Sequence, residues 1–154
     1  MFKKLNERKR RLYMAFYRRQ AHDGGVIFHT SLLICPKRPD LKSGMKSALA
    51  LHVVNKVSVV GVKGYPNHAS TSEPESKRYG KSVWKYAPEK KMPRTRMLQG
   101  LVLLAKVPDN RTDEHLTELL GAIQYPEDEE QDPTWRCRNW VWEAIDVRSL
   151  QWAS

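Results

Sequence analysis

Apolar residues are spaced for strands over the first two-thirds of this chain and for helices over the last third. Leu12 to Tyr17 alternates and is rich in aromatics, which suits a pleated strand. Ala21 to Gly25 holds His22, Asp23 and two glycines and reads as a turn. Val26 to Cys35 is a continuous apolar run closed by Pro36, so the first two runs predict a hairpin. After a polar loop from Lys37 to Lys46, Ala48 to Val57 predicts a third strand, which Val57 to Val62 extends or follows as a short extra strand. Gly64 to Gly80, rich in Pro, Ser, Gly and charge, reads as an exposed excursion. Val83 to Tyr86 is a short strand and Pro88 to Pro93 a loop, and Met97 to Val107 suits a strand better than the buried helix its apolar run also allows.

From Thr112 onward the period changes. Thr112 can cap a helix running to Ile123, with Leu116, Leu119, Leu120 and Ile123 on one face. Tyr125 to Asp132 is an acidic loop. Asp132-Pro133 then pairs an N-cap residue with a first-turn proline, predicting a second helix from Pro133 to about Val147. On that helix Trp140, Val141, Ala144 and Ile145 share a stripe with Cys137. Strands first and helices last predict an α+β fold: an antiparallel sheet of about five strands with two C-terminal helices on one face.

A chain of 154 residues fits one domain with its own core, here from residue 11 to 154, preceded by a flexible basic arm over residues 1–10. The net charge of +10 is concentrated at the start, where Lys3, Lys4, Arg8, Lys9, Arg10, Arg11, Arg18 and Arg19 face only Glu7. Such an arm serves as a solvated tail, as a contact for an acidic protein or nucleic acid, or as a nuclear import signal. No apolar run approaches the roughly 18 residues of a membrane span, and no signal-peptide stretch opens the chain. Two cysteines, Cys35 and Cys137, make neither a disulfide framework nor a zinc site, so a reducing cytoplasmic or nuclear setting is expected, with no cofactor. Walker, Rossmann and Gly-x-Ser-x-Gly patterns are absent, as are the common RNA-binding motifs. Trp135, Trp140, Trp142 and Trp152 beside arginines suit stacking on single-stranded nucleic acid, but core packing explains Trp140 more simply.

Cys137, in Trp135-Arg136-Cys137-Arg138-Asn139-Trp140-Val141, is the sharpest chemical lead. A helix start and two flanking arginines favour thiolate over thiol. Two histidines lie in upstream strand-like runs: His29 beside Ile27 and Ser31 on one strand face, and His52 one strand later. If those strands pair, His29 can serve as base to Cys137 and His52 can orient His29. Asn55 is a further polar neighbour, pointing away from His52 in a regular strand. The plain alternatives are a small buried thiol on a helix face and hydrogen-bonded core histidines. Cys35 at a strand end reads as structural, and His22, His68 and His115 sit in polar contexts.

Leu12-Tyr13 with Tyr17, His29 followed by Leu32-Leu33-Ile34 and Pro36-Lys37, His52-Val53 with Asn55, Trp84 with Tyr86, Met97-Leu98 before Lys106-Val107, and the Trp-x-Cys-x-x-Trp-Val segment resemble an uncharacterised family of small fungal proteins. The resemblance runs from about residue 11 to 147, and Arg136 stands where that family usually has Asn. The order of strand histidine first and helix-start cysteine last is also similar to the circularly permuted papain-like fold of lecithin retinol acyltransferase-like enzymes and PPPDE peptidases. That resemblance implies Cys137 as nucleophile, His29 as base and His52 as the third polar residue, with Trp140 in place of a phenylalanine.

The function expected is therefore a cysteine-dependent hydrolase or acyltransferase acting on an amide, isopeptide or thioester in a small molecule or peptide. Two alternatives stand beside it. One is a non-catalytic module that engages an acidic partner or nucleic acid through the basic arm. The other is an enzyme of fungal secondary metabolism whose pocket, rather than its thiol, does the chemistry.

Overall fold

The computed structural model describes residues 9–20, 24–37, 48–58, 81–90 and 97–149. Among them six strands and two helices follow in the order β1 (Arg10–Gln20), β2 (Val26–Pro36), β3 (Leu49–Leu51), β4 (Val53–Ser58), β5 (Lys81–Tyr86), β6 (Leu98–Lys106), α1 (Asp113–Gly121) and α2 (Cys137–Ser149). The α+β class and the antiparallel pairing agree with the alternation of the sequence. The strands divide, however, into a four-stranded sheet ordered β3-β2-β1-β6 and a two-stranded ladder of β4 with β5.

The β1–β2 hairpin pairs without interruption from Arg10↔Pro36 to Gln20↔Val26. Gly24, at φ +82°, supplies the left-handed backbone where the chain returns, a conformation that costs most side chains energy. β6 lies along the other edge of β1, with register shifts at Leu12/Tyr13 and Phe16/Tyr17. β1 starts at Arg10, inside the stretch read as a free arm, and the Arg10 guanidinium is held by Asp113 and the Arg111 carbonyl. Residues 1–8 of that arm, the excursion over 64–80 and the extension at 59–62 lie outside the described residues, as do His22, His68 and Trp152.

The single strand expected over 48–57 is divided at His52 because its two halves take different partners. Leu49 to Leu51 pairs with β2, whereas Val53 to Ser58 pairs with β5. Past β5 the chain stays alongside: Ala87 N–H donates to His52 O (2.9 Å), and Ala50 and Glu89 exchange two backbone bonds of 2.8 Å. Those long-range bonds satisfy the backbone at the division, as buried peptide groups require.

Pleat alternation gives the main sheet two apolar faces. Leu12, Leu32, Ile34, Leu49 and Leu51 pack with Leu116 and Leu120 of α1 and with Trp140, Val141 and Ala144 of α2 in the main core. The opposite residues, Ala15, Tyr17, Leu33, Cys35 and Ala50, form a smaller cluster. α1 keeps its expected cap, Thr112 Oγ1 accepting from His115 N–H at 3.2 Å. Aromatic rings extend the core: Trp84 meets Trp135 edge-on at 4.9 Å, and Tyr86 lies 5.6 Å from Trp140.

The start of α2 corrects the sequence reading. Asp132 does cap a turn, its Oδ1 accepting from the backbone of Thr134 (2.9 Å) and Trp135 (3.2 Å). That turn does not propagate, and the helix begins at Cys137. Arg136 becomes the residue before the helix, and Asn139 Oδ1 reaches back to accept from its N–H at 3.0 Å, one half of a capping box. No helix among the described residues is long and apolar enough to cross a membrane.

Candidate functional site

The late start of α2 places Cys137 at the first helical position rather than in the second turn. Its backbone N–H and that of Arg138 belong to the orphan donors of a helix N-terminus. The Cys137 side chain is half-buried, packed against the main core. Its Sγ accepts from the N–H of Thr30 at 3.5 Å. This contact follows from the strand division: the β2–β3 ladder stops at Leu32, and Thr30 lies beyond it. Because Thr30 N is two covalent bonds from the His29 Cα, the sulfur lies no more than about 6.4 Å from that Cα.

His29 is buried and projects on the sheet face that carries Tyr17, its cross-strand partner, with ring centroids 6.3 Å apart. His52, at the division between β3 and β4, is 4% exposed and reaches the same region. His29 Nε2 and His52 Nδ1 are 2.9 Å apart, a hydrogen bond between two buried imidazoles. The two predicted histidines are therefore brought together. No hydrogen bond joins the Cys137 sulfur to either ring; its partner is the amide next to His29.

The far nitrogen of His52, Nε2, is buried without a hydrogen bond among the described residues, and Glu89 Oε1 lies 3.7 Å away. The double backbone bond between Ala50 and Glu89 fixes the acidic residue there. Local sequence gave no hint of Glu89, which belongs to the loop Pro88-Glu89-Lys90, because its placement depends on pairing with a strand nearly forty residues earlier.

Electrostatics keep both rings neutral. Burial, then the charge of Arg19, then His52 push His29 down to about 3. Burial also lowers His52; Glu89 opposes that shift, while Arg19 and Lys56 reinforce it. A neutral imidazole has one donor and one acceptor nitrogen, as a proton acceptor requires.

His29, Thr30 and Cys137 line a cavity of about 740 Å³. Met14, Phe16, Val26, Ile27, Phe28, Trp84 and Trp142 give it apolar walls, and Val26, Ile27, Phe28 and Trp142 are half-exposed at its rim. Arg19, Arg136, Arg138 and Glu129 bring charge. The Arg136 guanidinium turns back to the carbonyls of Pro133 (2.7 Å) and Trp135 (2.6 Å), so it does not flank the sulfur as its sequence position suggested. Asn55 also lines the cavity, yet it bonds to Glu129 and Ser82 and takes no part in the histidine pair. Cys35 is fully buried in the smaller cluster, and burial pushes its thiol up to about 12, as befits an inert packing residue. His115 is exposed, and its ring meets the Arg111 guanidinium. Among the described residues no group of His, Cys, Asp or Glu is arranged to hold a metal ion.

Neither a curated protein nor a solved structure matches the chain. A family model does, over residues 9–151, a span that includes both histidines, Glu89 and the cysteine. The chain belongs to this family of unknown function, DUF6914.

Proposed function

We propose that the protein is a cysteine-dependent hydrolase or acyltransferase, with Cys137 as nucleophile, His29 as base and His52 orienting His29. One observation carries the reading: His29, hydrogen-bonded to the buried His52, lines the same cavity as the helix-start Cys137. The chain order of strand histidine before helix-start cysteine supports the permuted papain-like assignment of the fold.

In the reaction, the Cys137 sulfur attacks the carbonyl carbon of an amide, isopeptide or thioester while His29 accepts the thiol proton. The tetrahedral oxyanion meets the free N–H groups that open α2. His29 then returns the proton to the departing amine or thiol, leaving an acyl-cysteine. Water or an acceptor alcohol or amine attacks that thioester, His29 takes its proton, and the thiol is restored by the same proton. In the structure the sulfur bonds to the Thr30 amide, and the reaction requires the Cys137 and His29 side chains to turn toward each other within the cavity they both line.

A test uses p-nitrophenyl esters of short acyl chains and intact-protein mass spectrometry. The reading predicts an acyl adduct on the peptide that contains Cys137, and its loss in Cys137→Ala. An adduct on Cys35, or none at all, contradicts it.

A second reading is favoured by the Thr30 amide being the sulfur's hydrogen-bond partner. Here the apolar cavity binds and transforms a small molecule while the thiol only packs. Cys137→Ser then keeps activity, and Phe28→Arg, which fills the cavity with charge, abolishes it.

A further inference from the structure

We infer that Glu89 is a positioning residue that sets the direction of the proton chain through the two histidines and so leaves His29 Nδ1 as the atom that accepts a proton. The inference rests on the thiol reading for its use, but its core is a statement about tautomers.

The His29 Nε2 to His52 Nδ1 bond of 2.9 Å admits two arrangements of neutral rings. In one, His29 Nε2–H donates to His52 Nδ1. His52 then carries its hydrogen on Nε2, and His29 Nδ1 keeps a lone pair. In the other, His52 Nδ1–H donates to His29 Nε2. The lone pair of His52 then sits on Nε2, and His29 Nδ1 carries a hydrogen and accepts nothing. Whatever faces His52 Nε2 selects between them.

Glu89 faces it. Its Oε1 lies 3.7 Å from that nitrogen, which has no hydrogen-bond partner among the described residues. A carboxylate attracts an N–H and repels a lone pair, so it favours the first arrangement. Shortening the gap by roughly 0.8 Å gives an ordinary N–H···O bond. The Glu89 side chain is 45% exposed and free to make that adjustment, while its backbone is pinned to Ala50 by two hydrogen bonds. The other charges that act on His52 are cations, Arg19 and Lys56, so Glu89 is the anion among the described groups that act on it. Arg19 also acts on His29 and, with burial, keeps both rings in the neutral form that this choice requires.

The chain then runs from the Glu89 carboxylate to His52 Nε2–H, from His52 Nδ1 to His29 Nε2–H, and ends on the bare Nδ1 of His29. That atom, not Nε2, is the base available to the thiol proton of Cys137. When His29 takes the proton, the imidazolium that forms is stabilised through His52 by the carboxylate.

The experiment is long-range ¹H–¹⁵N correlation of the full chain with ¹⁵N-labelled histidine at pH 7. In the natural sequence the expected signals are protonated Nε2 and bare Nδ1 on both His29 and His52. In Glu89→Ala the two tautomers mix, and the nitrogen shifts move toward their averaged values. Glu89→Gln, which keeps an acceptor but no charge, restores part of the bias. A protonated Nδ1 on His52 in the natural sequence, or unchanged tautomers in Glu89→Ala, overturns the inference. Because Glu89 is half-exposed, far-UV circular dichroism of Glu89→Ala is expected to match the natural protein. Thiol chemistry is read separately. Alkylation of Cys137 by iodoacetamide slows about tenfold or more in Glu89→Ala if the base has lost its lone pair. If alkylation ignores both His29→Ala and Glu89→Ala while the tautomers respond, the thiol reading falls and the assignment of Glu89 as tautomer-setting stands.

Discussion

Two imidazoles buried together are costly unless they stay uncharged. His29 is held at about 3, far below its ordinary 6.5, by burial first and by Arg19 second. An unfolded chain takes up a proton at His29 near pH 6.5, whereas the folded one does not until the pH nears 3. Stability is therefore complete above pH 6.5 and is lost as the pH falls through the interval below it. His52, lowered by burial, acts in the same direction. Asp132 and Glu114, whose carboxyls are held low chiefly by hydrogen bonds at helix and turn starts, lose their contribution at more acidic pH. The histidines thus dominate between pH 6.5 and 5. Urea midpoints followed by tryptophan fluorescence are expected to fall across that interval, and less steeply in His29→Gln. The difference in slope approaches about 1.4 kcal/mol per pH unit. Equal slopes contradict a neutral buried His29. At this scale the sequence singled out His29 and His52, which the structure joins by a hydrogen bond, and Cys137, which lines a cavity with His29 but bonds to neither ring. It was silent on Glu89 and Arg19, whose roles come from neighbours distant along the chain.

Elements with strong local signals came out as read. The β1–β2 hairpin follows from two apolar runs around Gly24, and α1 follows from Thr112 and the Leu116–Leu120 spacing. Thr112→Ala removes the bond to His115 N–H and is expected to cost about 1 kcal/mol, measured by thermal or urea unfolding. Trp140 is fully buried between the sheet and the aromatic rings, so Trp140→Ala is expected to cost about 3–5 kcal/mol. The boundaries that mattered most for the site were the ones the sequence left hidden. The apolar run through His52 looks uniform, yet partner choice divides it into β3 and β4. Asp132-Pro133 is a sound helix signal, but its turn stops and the helix restarts at Cys137. Both surprises serve the cavity: the first ends the β3 ladder short of Thr30, and the second brings the sulfur to the Thr30 amide.

Across the whole molecule, the helices cover one face of the main sheet while the histidine pair projects on the other. The cavity joins these sides where β2 runs past the end of β3. Strand order explains why a histidine near the start of the chain and a cysteine near its end both line it. It also explains why composition alone was a poor guide: the basic start that dominates the net charge includes Arg10, which ties β1 to α1, and Arg19, which faces the cavity. The central claim is that Cys137 and His29 act as one unit. Its most direct measurement is the rate of Cys137 alkylation by iodoacetamide at pH 7, read by peptide mass spectrometry in the natural protein and in His29→Ala. If His29 accepts the thiol proton, the rate falls about tenfold or more when the imidazole is removed. Equal rates in the two proteins contradict the claim.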